Sequence, residues 1–378
     1  MQAAHSRGQC DSIGHRSPKN ALEMPKFYPA PALRSHERHV VPISVALMLP
    51  YCFNCKILTI SIHDAEMRLS RFLSSPVGVA LVFFALASLT VSFARFTGGV
   101  AMVWIAGAQL AGRLVVMPEN RWGPWLIACS FSSLLATGLF GMGWTAAVPL
   151  AFINIAEAAA AALLMRRISI AFWPEETLEW IAGFYIGIGL IIPLVSGALA
   201  TVVANLTIGA SILESFTHWI IGHSLGLITC LPVFRFAYWR WSRGRNCLPN
   251  PEKWPFAAMI LGGFAMLTIV VFTLDMRPLL VFPLLFVVVG SAMLEEALIA
   301  AMPVVLILIG GTFTAFEMGP IALMDMAYGD RIQFFQLYVA VTVLAALPIA
   351  CERSRRLAEL RRMQERLAQL EALEPSAY

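Results

Sequence analysis

The sequence predicts an all-α protein, a polytopic membrane bundle of about ten spanning helices that runs on into a charged C-terminal helix. Three observations carry this. Hydrophobic residues make up 58% of the 378 and charged residues only 13%, against roughly 25% charged in a soluble domain, and mean hydropathy is +0.73. After Met67 the apolar residues fall into stretches near the ~20 residues that cross a bilayer. Lys and Arg are distributed unequally between the connections, as the positive-inside rule requires.

Residues 1–66 are rich in His, Pro, Arg and Ser and show no helical period. They are expected to be a poorly ordered leader, with translation starting at Met67. Residues 40–62 are apolar, but Pro42, Pro50, Asn54 and Lys56 interrupt them. Residues 67–350 form the membrane domain, with spans at 76–94, 98–116, 122–140, 144–165, 182–208, 213–234, 254–273, 278–293, 297–316 and 332–350. The second and eighth are the weakest. A cytoplasmic start puts Arg68, Arg71, Arg113, Arg121, Arg166, Arg167, Arg235, Arg240, Arg243, Arg245 and Lys253 inside, and only Arg95, Arg277 and Arg331 outside. Both termini are then cytoplasmic, in a bacterial plasma membrane. Several tryptophans near span ends, Trp122, Trp125, Trp144, Trp180, Trp239, Trp241 and Trp254 among them, suit interfacial anchoring. Residues 172–180 (FWPEETLEW) read as an acidic surface segment, and Gly183 and Gly187 permit a close helix contact. Residues 351–378 leave the membrane without a Pro or Gly break before Pro375. Leu360, Met363, Leu367 and Leu370 recur there at the spacing of a short coiled-coil seam.

Four segments appear in a particular order: GVAMVWIAG at Gly99–Gly107, NIAEAAAAALLMRR at Asn154–Arg167, HWIIGHSLGLITCLP at His218–Pro232, and the exit helix ERSRRLAELR. In this order, over about residues 76–362, the chain resembles the first type of MASE membrane-associated sensor domain. The resemblance implies an N-terminal input module of bacterial histidine kinases, diguanylate cyclases and phosphodiesterases. It implies sensing rather than catalysis, relayed through the exit helix to a separate or missing kinase or diguanylate cyclase output, while the seam spacing itself suggests a homodimer. The chain departs from the family pattern at His223, where an Asp is common. It departs again after the eighth span, where Glu295 and Glu296 stand in place of an Arg.

Polar residues inside the spans are the candidate sensing positions. Glu157 lies about 20 Å into its span by the helical rise, and Asn154 shares its face. A mid-membrane carboxylate costs roughly 2.5–3.5 kcal/mol on insertion scales, so Glu157 must be neutral, paired or wet. It is either a ligand- or proton-responsive group or a hydrogen-bonded brace between helices. Glu214 and His218 are four residues apart near the outer surface. His223 lies five beyond His218, on another face, which is poor spacing for a metal pair. It is either a structural histidine or a pH-responsive one. Trp104, early in the second span, is either a ligand contact or core packing.

No metal, cofactor or nucleic-acid site is expected. Cys52 and Cys55 form a lone C-x-x-C without a second pair. The EAL at Glu371–Leu373 is a coincidence of a helix rich in Ala and Leu, and no catalytic output motif accompanies it. The alternative reading is a secondary transporter or channel. The halves show no evident repeat, which counts against it; solute flux in liposomes separates the two classes.

Overall fold

The computed structural model describes residues 68–96, 102–172, 177–243, 254–294 and 296–373. They fall in the second of the chain's two units, Asn54–Tyr378. The leader, the C-x-x-C and residues 173–176 of the acidic segment lie outside the described residues. Among the described residues every regular element is helical, as the sequence predicts.

Helix α1 (Arg68–Ser74) meets α2 (Pro76–Phe96) at a 73° bend. Ser75 forms the hinge: its Oγ accepts from Gly78 N at 3.1 Å, and Pro76 fills the first helical position, where no N–H is missed. Then come α3 (Ile105–Val115), α4 (Gly123–Phe140) and α5 (Trp144–Ala171). Helix α6 (Leu178–Gly183), capped by Thr177 Oγ1 accepting from Trp180 N, passes through a π-helical stretch, Phe184–Ile191, into α7 (Ile192–Ile208). These three make one span, Leu178–Ile208. The remaining helices are α8 (Ile212–Ser242), α9 (Trp254–Thr273), α10 (Val281–Met293), α11 (Glu296–Ala315) and α12 (Tyr328–Leu373).

Seven of these helices are long and apolar enough to cross a membrane alone, or up to eight if the bent α1–α2 pair counts as one span. Two expected spans are shorter. The stretch 278–293 is a single shorter apolar helix, Arg277–Met293. Among its described residues, 102–116, the stretch 98–116 holds the 11-residue α3, about 16 Å long by its rise. Hydropathy alone misses this, because residues 102–104 are as apolar as a helix yet run irregularly. Irregular backbone at membrane depth survives only where protein satisfies its polar groups. Trp104 N accordingly donates to Gly222 O of α8 at 2.9 Å.

The outer surface is apolar, with Leu81, Phe131, Phe152, Leu190, Leu199, Met266 and Leu337 exposed. Around a membrane bundle that surface meets lipid; in water it would drive association. Inside, small residues set the helix spacing. A Cβ on Gly226 would come within 2.2 Å of Trp104 O, and one on Gly112 within 2.7 Å of Phe234 Cβ, so α3 lies directly on α8. The expected contact at Gly183 and Gly187 also forms: Ile168 and Leu164 of α5 pack where their Cβ atoms would be. Not every tryptophan near a span end is an outward anchor. Trp122 and Trp180 are buried and donate to Met117 O and Ser169 Oγ, because a buried indole N–H needs an acceptor.

Helix α12 packs on α11 and α10 and continues past the bundle. At its exit Arg353 donates to the carbonyls of Leu294 and Met293, capping the C-terminal end of α10 with a cation. Glu352 pairs with Arg356 at 2.8 Å and Arg355 at 3.0 Å, and the Arg356 hydrogen bond first, then Arg355, holds its carboxyl below the usual range. Arg353→Ala is expected to uncap α10 and free the start of the exit helix. Hydrogen exchange should speed up at 290–294 and 351–360 together, while 254–273 stays unchanged.

Candidate functional site

The buried polar side chains of α5, α7 and α8 meet the start of α3 at one place. Glu157 on α5 is 3% exposed. Its Oε1 lies 2.7 Å from His223 Nδ1 on α8, and its Oε2 accepts from Ser196 Oγ on α7. Ser196 Oγ in turn accepts from Trp219 Nε1 at 3.0 Å. His223 lies between two indoles. The Trp219 ring is 4.0 Å away at 16°, and the Trp104 ring 5.1 Å away at 13°.

The local sequence explains this convergence. Trp219 and His223 are four residues apart and share a face of α8. Trp104 also stacks on the imidazole, because Gly226 admits its backbone and Gly222 O accepts from its N–H. Gly107, in the first turn of α3, is the close approach on the third side. A Cβ there would lie 3.7 Å from Glu157 Oε1 and 3.2 Å from Trp104 Nε1. The carboxylate therefore sits beside the N-terminal end of a helix, where the dipole is positive.

The depths agree. Glu157, Ser196 and His223 lie about 13, 12 and 11 residues from the Trp144, Ile208 and Ile212 ends of their helices, or roughly 16–20 Å. The surroundings complement a carboxylate: a hydroxyl donor, an imidazole N–H and a helix N-terminus. The imidazole is in turn stacked by two indoles and hydrogen-bonded to the carboxylate. A change in the Glu157–His223 contact would alter contacts to several helices at once, because Ser196, Trp219 and Trp104 all meet these two side chains.

The sequence candidates divide accordingly. Trp104, Glu157 and His223 come together. Asn154 shares the Glu157 face, as expected, but Nδ2 donates to Ser133 Oγ on α4 at 3.2 Å. It does not brace Glu157; His223 and Ser196 do. Glu214 is exposed and His218 half-buried, and both stand apart from the cluster. Among the described residues no group of three or more His, Cys, Asp or Glu could hold a metal ion. Ser196 and Trp219 were not singled out from the sequence. Trp219 had a signal, its i,i+4 spacing to His223; Ser196 had none, because serine in a membrane helix commonly bonds its own backbone. Of the seam, Leu360, Met363 and Leu367 are exposed, and the Leu370 side chain lies outside the described ones.

The comparisons with known proteins agree with this architecture. The sequence profile of the MASE1 family matches residues 73–356. The chain is also similar to the probable diguanylate cyclase DgcE of Escherichia coli (strain K12), 25% identical over 164 residues. That stretch is 42% of this chain and 14% of DgcE, so the chain spans a small part of that relative's length. No solved structure matches the chain. A family match over most of the length, on an all-helical membrane bundle, identifies the chain as a member of the MASE1 family, the membrane sensory domains found in signalling proteins.

Proposed function

We propose that this chain is the membrane-embedded input module of a bacterial signalling system, with the Glu157–His223 cluster as its responsive centre and α12 as its output. The observation that carries the reading is the course of α12. It is one helix from Tyr328 to Leu373, packed in the bundle over its first half, with Leu360, Met363 and Leu367 open on its second half. A continuous helix that begins among the sensing helices and ends outside them turns a shift inside the bundle into a displacement at its far end. The exposed seam is too short to pair stably alone, since isolated helices below ~12–15 residues are marginal. Pairing with a second copy is therefore led by the bundle, which makes the pairing responsive to it.

The Lys and Arg bias supports a cytoplasmic seam and a bundle in the inner membrane. The name of the relative DgcE points to a diguanylate cyclase as the class of output, and a histidine kinase uses the same kind of connector. Residues 67–350 act as the sensor and 351–378 as the connector. The half-helix α3 is also a transporter-like feature, and solute flux in liposomes would support that reading instead.

The test is a register series. A diguanylate cyclase domain is attached after Leu373, with zero to seven residues inserted at the junction. Output is expected to rise and fall with a period near 3.5 residues, the seam's own repeat. A flat response across the series would remove α12 as the output element.

A further inference from the structure

The cluster lies on α5, α7, α8 and the start of α3, whereas the output is α12. None of the cluster side chains belongs to α12, so a connection between them has to be found elsewhere. The irregular segment 102–104 supplies it. Trp104 stacks on His223, and its buried Nε1 has no hydrogen-bond partner. Its indole is thus held by stacking and packing and follows the imidazole. Its backbone N–H donates to Gly222 O of α8. Two residues earlier, the carbonyl of Met102 accepts from Gln336 Nε2 of α12 at 2.9 Å. Gln336 is 1% exposed and lies about 12 Å into α12 from its outer end. The bond to Met102 therefore ties α12 to the segment that leads into Trp104.

We infer that Gln336 is a positioning residue for signalling, tying α12 to the Trp104 segment so that a change at Glu157–His223 is carried to the exit helix through Met102. This rests on the reading of the cluster as the responsive centre. The physical argument concerns stiffness. Two residues of chain span at most about 7 Å, so Met102 cannot stay still while Trp104 shifts. A regular helix would resist such a shift with its own ladder of hydrogen bonds. The segment 102–104 has no such ladder and holds to its neighbours by single bonds to different helices. It also has little room to absorb the shift, because the Met102 thioether lies against Gly311 of α11, where a Cβ would be 2.5 Å from Sδ. The displacement therefore goes to its hydrogen-bonded neighbour on α12.

The chain carries its own reporter. The Cys351 thiol is 5% exposed where α12 leaves the bundle, so its alkylation rate reads the position of that helix. The full-length protein in lipid nanodiscs is treated with a maleimide, and Cys351 modification is followed by peptide mass spectrometry. Glu157→Gln is expected to change the rate about fivefold or more, the scale of a typical coupling between sites. In a Gln336→Met background, which keeps the side-chain volume and removes the donor, Glu157→Gln is expected to change it less than twofold. Gln336→Asn, which keeps the amide but cannot reach Met102, should behave like Gln336→Met and serves if that variant does not fold. Equal effects of Glu157→Gln in all three backgrounds would overturn the role of Gln336 and leave the sensory reading standing. No effect in any background would overturn the sensory reading, and the relay with it.

Discussion

His223→Leu is expected to destabilise the bundle by about 3–5 kcal/mol, the cost of leaving a buried charge without its partner. The imidazole supplies the hydrogen bond to Glu157 Oε1 and fills the slot between Trp104 and Trp219. Leucine fills the slot in part but offers no donor. Ser196 and the first turn of α3 remain beside the carboxylate, which limits the loss but does not restore the pair. The discriminating measurement is the same substitution in a Glu157→Gln background. An amide leaves no charge behind, so His223→Leu there should cost only about 1–2 kcal/mol, the scale of a hydrogen bond and its packing. Unfolding midpoints in mild detergent give both values. Equal costs in the two backgrounds would show that Glu157 and His223 are not coupled as a charged pair.

Gly226→Ala should be nearly as damaging, though it adds one methyl group. That methyl would lie 2.2 Å from Trp104 O and 2.7 Å from its carbonyl carbon. Both are backbone atoms, so no side-chain rotation relieves the overlap. Either α8 moves away from α3 or the 102–104 segment is displaced, and the Trp104–Gly222 hydrogen bond is lost in both cases. Overpacking of about 1–3 kcal/mol then adds to a buried backbone N–H without an acceptor, about 1–3 kcal/mol more. Gly262→Ala in α9 is the control: nothing lies within 4 Å of its Cβ, and it should gain about 0.5–1 kcal/mol from helix propensity. A Gly226→Ala protein as stable as the Gly262→Ala protein would show that α3 does not rest on α8 as described.

The long apolar spans were legible because one property, sustained hydropathy, decides them. The positions of Glu157, His223 and Trp104 were legible too, as polar or aromatic exceptions within apolar runs. Their partnership was not. Glu157 and His223 are 66 residues apart in sequence, and nothing in either helix names the other. Asn154, the obvious local partner, turned instead to Ser133, because i,i+3 neighbours share a face without having to touch. The half-helix α3 escaped for a related reason. Hydropathy records that a stretch is apolar but not whether its backbone closes its own hydrogen bonds. Gly226 was in plain view, yet what it accommodates is a carbonyl from a segment more than a hundred residues away.

The π-helical stretch Phe184–Ile191 sets a rotational phase. Each residue of an α-helix advances the azimuth by about 100°. A wider turn takes in residues without that advance, so the outer segment leaves Ile192 out of phase with the inner one. Gly183 and Gly187 aim the inner segment at α5, while the phase offset aims Ser196 at Glu157. The span therefore works as a vernier, with two graduated scales meeting at an offset. Losing one residue between 184 and 191 would swing Ser196 by about 100° away from the carboxylate while leaving the span's hydropathy, length class and topology almost unchanged.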